Sequence, residues 1–198
     1  MRKFVTRFLV AVFLVVSLFQ IPIQDLYAEN RNFGLIYFDS IEEVTEYANS
    51  GFIIDELYTE YFLSELNEEQ VKVLENSGVF YELLGDITTI SCQKYLLQSN
   101  DKKRIQFPPE FYSELQDIDK SMPCIQLIQF IGPVKKQWRE TMSKYHVELY
   151  SQLNNYAYLT YMTEADAKNL RDISFIRAID FFPPSLKIQP SLQYLRNE

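Results

Sequence analysis

Hydrophobic and polar positions repeat along this chain at a constant offset of 96 residues. Phe62-Leu63-Ser64-Glu65-Leu66 and Tyr158-Leu159-Thr160-Tyr161-Met162 alternate like strands. Each stretch then meets a helix start. Asn67 with Gln70, and Thr163 with Asp166, stand at capping-box spacing, where the first side chain takes an orphan N–H and the second reaches back. Val71 with Leu74, and Ala167 with Leu170, supply the helical core spacing. A second strand-like run closes each copy, Val79 to Leu83 and Phe175 to Ile179.

The upstream halves match in kind. Gly34 to Phe38 reads as a strand, Ser40 with Glu43 caps a helix, Gly51 ends it, and Phe52 to Leu57 is the next strand. In the second copy Ile125 to Ile131 is the strand, broken by Gly132-Pro133. Val134, Trp138, Thr141, Met142 and Tyr145 form the helical stripe, and Val147 to Gln152 the next strand. Asn154-Asn155 supplies a turn. Both copies thus read strand, helix, strand, strand, helix, strand. The predicted class is α+β, with two tandem ferredoxin-like (βαββαβ) domains at 33–90 and 125–182, each a four-stranded antiparallel sheet with two helices on one face. The polar, proline-bearing segment 91–124 reads as a linker with a short helix near Glu110 to Leu115, and 183–198 as a C-terminal tail.

The N-terminus changes the compartment. Arg2, Lys3 and Arg7 precede an apolar run from Phe8 to Phe19, and Ala28 ends a short segment after Pro22. This is the pattern of a secretory signal peptide over 1–28, predicting a secreted, periplasmic or otherwise extracytoplasmic protein with no membrane attachment after cleavage. The remaining chain carries 16 basic and 26 acidic residues. That balance repels phosphate backbones and argues against nucleic acid as a partner. The acid is unevenly spread: 33–90 has thirteen acidic residues against Lys72, a net of −12, whereas 125–182 has a net of +1. In an oxidising compartment two cysteines, Cys92 and Cys124, are candidates for a disulfide, with two free thiols as the alternative.

Catalytic chemistry finds little material. His146 is the single histidine and has no neighbouring nucleophile or ligand cluster, and the 5 glycines form no phosphate-cradling loop. Glu42-Glu43 and Glu68-Glu69 read as first-turn residues that favour the helix dipole. The expectation is a non-enzyme with no cofactor, no metal site and no evident small-molecule ligand.

Leu127 to Val134, Tyr156 to Leu159, Met162 to Ala167, Phe175 to Ile179 and Pro183 to Ile188 together resemble the prodomain of secreted subtilisin-like serine proteases, over roughly 125–190. The first copy is similar, more loosely, to the same class and to propeptides of exported metallopeptidases. The resemblance implies a ferredoxin-like propeptide that binds, inhibits or assists folding of a subtilisin-like serine protease. It also implies a tail lying in the protease cleft, carried here by Phe181, Phe182, Pro183, Pro184, Ser185, Leu186, Lys187 and Ile188. Pro183-Pro184 would keep that tail extended. No protease-like sequence follows, so a free-standing inhibitor, a truncated zymogen and a generic extracellular binding module are the alternatives.

Overall fold

A computed structural model describes residues 31–187. The segment 1–28, expected to be a signal peptide, and the tail from Ile188 onward lie outside the described residues. Among these the fold is α+β, with five α-helices and three antiparallel sheets.

The first sheet comprises β1 (Asn32–Tyr37), β2 (Glu56–Leu57), β3 (Tyr61–Leu66) and β4 (Tyr81–Gly85), in the order β2-β3-β1-β4. Helix α1 (Ile41–Asn49) joins β1 to β2, and α2 (Glu68–Ser77) joins β3 to β4. Strand alternation sorts the side chains: Ile36, Phe62 and Leu66 pack with Val44 of α1 and Leu74 of α2, while Phe33, Leu35 and Leu63 occupy the opposite face. Each such burial contributes roughly 1.5–3 kcal/mol. The capping boxes form as the spacing requires. Asn67 Oδ1 accepts from Gln70 N, and Gln70 Oε1 accepts from Asn67 N, both at 2.9 Å. Gly78, at φ 73°, ends α2.

The second copy repeats this order. Strands β8 (Cys124–Phe130), β9 (Leu149–Gln152), β10 (Ala157–Met162) and β11 (Ile176–Phe181) form a sheet ordered β11-β8-β10-β9, with α4 (Lys136–Lys144) and α5 (Glu164–Arg171) as connections. Thr163 and Asp166 close the second capping box at 3.2 Å in both directions. Trp138 and Met142 of α4, with Ala167 and Leu170 of α5, cover Ile128, Phe130 and Ile179. Phe130, Trp138 and Phe175 stack with interplanar angles of 9–14°. The helix does not start on Pro133 but at Lys136, after an extended Lys135 that makes no side-chain cap.

The segment expected to be a linker is folded. Strands β5 (Thr89–Cys92), β6 (Tyr95–Ser99) and β7 (Ile105–Gln106) make a third sheet, followed by a 3-10 turn (Pro109–Phe111) and α3 (Tyr112–Asp117). Its apolar side, with Ile90, Leu97, Ile105, Phe107 and Phe111, buries Leu127, Ala157 and Ala178 on the helix-free face of the second sheet. The reason is the pattern within each strand: Ile90 and Cys92, then Leu97 and Ser99, alternate as buried residues between exposed ones. Arg104 anchors the layer with a bidentate pair to the buried Asp180 of β11, at 2.6 and 2.7 Å. The chain therefore has no free spacer between its two copies.

The copies also meet directly. Tyr58 donates its hydroxyl to the Pro133 carbonyl at 2.9 Å, and Lys135 pairs with Glu56 while lying over the Tyr58 ring. Arg177 stacks on Phe33, with the guanidinium carbon 5.0 Å from the ring centroid. Asn155 and Tyr156, both at positive φ (51° and 60°), form the β9–β10 turn. Asn155 donates its side-chain amide to Asp86 O and Thr89 O, and Asn154 accepts from Ser91 N. This turn thereby supplies partners to the β5 edge.

Candidate partner-binding surface

The tail does not take the extended, presented form expected from its prolines. Phe181 ends β11, and Phe182 and Leu186 are buried at 2% and 5% exposure in the cluster under the third sheet. Pro183 is buried as well, and Pro184–Lys187 turn as a 3-10 helix, so the fixed proline φ begins a turn instead of a strand. Ser185 N donates to Glu114 at 3.0 Å, and Gln93 donates to Leu186 O at 3.0 Å. Phe181, Phe182, Pro183 and Leu186 are core residues, whereas Pro184 and Lys187 are exposed; Ile188 lies outside the described residues.

The two cysteines are free thiols, which corrects the expected Cys92–Cys124 bridge. Cys92 pairs with Tyr95 at the β5–β6 turn, and Cys124 opposes Met162 on a different sheet. The tail comes against both: Leu186 shares the cluster of Cys92, and Lys187 acts on Cys124 through its charge. Burial pushes both thiols above the ordinary cysteine range. His146 is exposed just beyond α4, at a left-handed φ of 57° that glycine or asparagine would adopt more readily. Among the described residues, no group of three or more His, Cys, Asp or Glu is placed to hold a metal ion, and no helix is long and apolar enough to cross a membrane.

One concavity lies on the acidic copy. A cleft of about 540 Å³ opens between α1, the end of β1 and the α2–β4 turn. Its carboxylates are Asp39, Glu43 and Glu46, and its rings are Tyr37, Phe38, Tyr47 and Phe80. Local folding sets these positions. Ser40 caps α1 by accepting from Glu43 N at 3.4 Å, and Glu43 turns back to accept from Asp39 N at 3.1 Å. Glu46 follows on the same helix, and Gly78 lets the chain turn sharply into β4. Tyr47 packs edge-on against Phe52 at 5.1 Å, and burial, reinforced by Glu43 and Glu46, raises its hydroxyl above the ordinary tyrosine value. Tyr37 lies 4.9 Å from Phe80, which is 69% exposed. Among the described residues none of the three carboxylates has a cationic partner. Negative charge beside ring faces suits a cationic side chain, held by carboxylates and by cation–π attraction. Sequence reasoning recognised the charge and the Ser40 cap but not the cleft. The usable signal was Phe80, an exposed aromatic immediately before β4, next to the half-buried Tyr81.

Comparison with curated proteins and with solved structures gives no match. One family does match, over residues 85–183, half of the chain. Its span begins at the Gly85 turn and runs through the third sheet and the whole second copy to Pro183, so the segment expected as a linker and the second repeat fall within one matched unit. The chain belongs to the family described as Domain of unknown function (DUF8729).

Proposed function

We propose that this chain is an exported, non-catalytic protein-binding module made of two ferredoxin-like repeats, and that its acidic repeat receives a cationic partner. The carrying observation is the cleft of Asp39, Glu43 and Glu46 with its aromatic walls, open to solvent and without a cation of its own among the described residues. A net charge of −12 over 33–90 adds long-range attraction for a basic partner, and attraction of that origin weakens as salt rises. Export rests on the basic, apolar and small-residue pattern of 1–28.

A second reading is a propeptide-like inhibitor or folding helper for a subtilisin-like serine protease. The strand order β11-β8-β10-β9 with both helices on one face favours it, because that is the ferredoxin-like arrangement of the class it resembles. The surfaces that class uses are occupied here. The free sheet face lies under β5–β7, and the tail is packed into the same layer. On this reading a protease would have to engage the acidic repeat or displace the third sheet.

The test is isothermal titration of the exported chain with a lysine-rich and a glutamate-rich peptide of equal length, at low and at physiological salt. Binding of the lysine-rich peptide alone, weakened by salt and by Glu43→Gln with Glu46→Gln, supports the module. Equal affinity for both peptides, or none for either, refutes it. Progress curves of a subtilisin-like protease with and without the chain decide the second reading.

A further inference from the structure

The first sheet has one long unpaired edge. Strand β4 pairs with β1, and among the described residues nothing pairs with its other side. The register shows which backbone groups are free. Tyr37 N donates to Phe80 O at 3.1 Å, so Tyr37–Phe80 is a hydrogen-bonded position. Antiparallel pairs alternate, which makes Leu35–Glu82 the next such position and leaves Ile36–Tyr81 and Gly34–Leu83 between them. The N–H and C=O groups of Tyr81 and Leu83 therefore point away from β1, into solvent.

Natural edges are protected by lysine, proline, inward charge or a covering element. β4 (Tyr-Glu-Leu-Leu-Gly) has no lysine or proline, its one charge is Glu82 and its register shift falls at the far end by Gly85, while Leu83 is 51% exposed and the preceding Phe80 69%. Two other sheet edges, β11 and β5, are dealt with differently. Tyr95–Ser99 and Ile105–Gln106 bring Lys103 O onto Ile179 N of β11, and Asn154 and Asn155 fill the β5 edge. At its N-terminal end β4 follows directly on Gly78, Val79 and Phe80, which line the acidic cleft.

We propose that β4 is a strand-addition site, at which an extended segment of a partner protein pairs antiparallel to Tyr81–Leu83 and places a lysine or arginine, C-terminal to its paired residues, in the Asp39–Glu43–Glu46 cleft. This rests on the reading of the acidic repeat as a binding surface and specifies how it binds. Main-chain hydrogen bonds supply affinity in such complexes and pockets for side chains supply specificity. The antiparallel direction follows from geometry: a strand antiparallel to β4 ends where β4 begins, at Phe80, and there meets the carboxylates. A parallel strand would bring its N-terminal end there instead. A second copy of this chain is a poor occupant, because pairing β4 with β4 brings two repeats of net charge −12 together.

The probe is a capped heptapeptide, Thr-Val-Thr-Val-Thr-Lys-Lys, titrated into the full exported chain by calorimetry with amide hydrogen exchange followed at Tyr81 and Leu83. Three peptide controls accompany it: the reversed order with lysines first, the same order with two glutamates, and a version N-methylated at alternate residues. Leu83→Pro removes an outward N–H without touching the ladder to β1, a position where edge strands tolerate proline. A thermal midpoint close to wild type shows that this variant folds, and Leu83→Lys serves if it does not. Expected are protection at Tyr81 and Leu83 with the parent peptide, and a loss of roughly tenfold or more in affinity for N-methylation and for either Leu83 variant, equivalent to about 1.4 kcal/mol. If the parent and N-methylated peptides bind alike, or folded Leu83 variants bind normally, strand addition is wrong. In that case Glu43→Gln with Glu46→Gln still abolishing binding leaves the cleft reading intact. If the reversed peptide binds best, the direction is wrong. Dimerisation of the free chain that is lost in Leu83→Lys assigns the edge to self-association and overturns the proposal.

Discussion

Gly132→Ala tests whether the two repeats are packed as one body. Gly132 is not at a positive φ, so its lack of a side chain is explained by closeness and not by conformational freedom. A Cβ there would stand 2.8 Å from the Tyr58 hydroxyl and 2.9 Å from Leu63 Cδ2. Neither neighbour has an easy retreat. Leu63 is wholly buried, and Tyr58 is held by its bond to Pro133 O, by Tyr61 stacked at 4.6 Å and by Lys135 above its ring. Overpacking of this kind costs ~1–3 kcal/mol, and loss of the Tyr58 hydrogen bond adds about 1 kcal/mol. The expected destabilisation is about 2–4 kcal/mol, a fall in Tm of roughly 5–12 °C for a chain of this size. Chemical denaturation of wild type, Gly132→Ala, Tyr58→Phe and the double variant gives the full cycle. Removing the hydroxyl relieves one of the two clashes, so the double variant is expected to lose less than the sum of the singles, by more than ~0.5 kcal/mol. A Gly132→Ala protein as stable as wild type, or strict additivity, refutes the packing described.

Burial raises the Tyr58 hydroxyl far above the ordinary tyrosine value, and pushes Tyr156 up to about 12. Above about pH 10 the unfolded chain releases these protons first, so stability is complete below that pH and falls as pH rises toward 12; absorbance at 295 nm during alkaline unfolding, compared with Tyr58→Phe and Tyr156→Phe, checks the assignment. Leu186→Ala is expected to cost roughly 2–5 kcal/mol as a core truncation, against near neutrality for a loose tail, read from urea midpoints. Thiol titration of oxidatively exported protein is expected to find two free cysteines, with Cys92 reacting slowly until denaturant is added, and a mass two units lower would indicate the bridge instead.

The parts of this fold that depend on local chemistry were legible. Asn67 with Gln70 and Thr163 with Asp166 announced both capping boxes, and alternation at Phe62–Leu66 and Tyr158–Met162 announced the central strands they follow. The third sheet was missed because its turn chemistry is unusual. Gln93-Lys94 connects β5 to β6 with Gln93 at φ 54°, where Asn-Gly would be the recognisable pair, and Lys103 at φ 56° ends the next loop. The tail was misread because a Pro-Pro pair is compatible with either an extended path or the first turn of a 3-10 helix. What decides between them is Leu186 finding an apolar layer formed by residues some eighty positions earlier. The cleft was hidden for a similar reason: Glu43 has a sufficient local role at the start of α1, and its convergence with Asp39, Glu46, Tyr37 and Phe80 exists only once α1 lies on the sheet.

The covering sheet is made before the surface it covers. During synthesis Ile90, Leu97, Ile105 and Phe107 emerge ahead of β8, β10 and β11, and the last member of their cluster, Leu186, follows Phe107 by 79 residues. A hairpin such as β5–β6 closes in about 1–10 μs, whereas a ribosome adding ~5–20 residues per second needs several seconds to deliver that remainder. For that interval an apolar ribbon with no partner is exposed on the nascent chain, and a two-stranded hairpin is too weakly stable to protect itself. Delivery of the segment up to Leu186, and not folding of the acidic repeat, therefore sets the moment at which this apolar ribbon is covered.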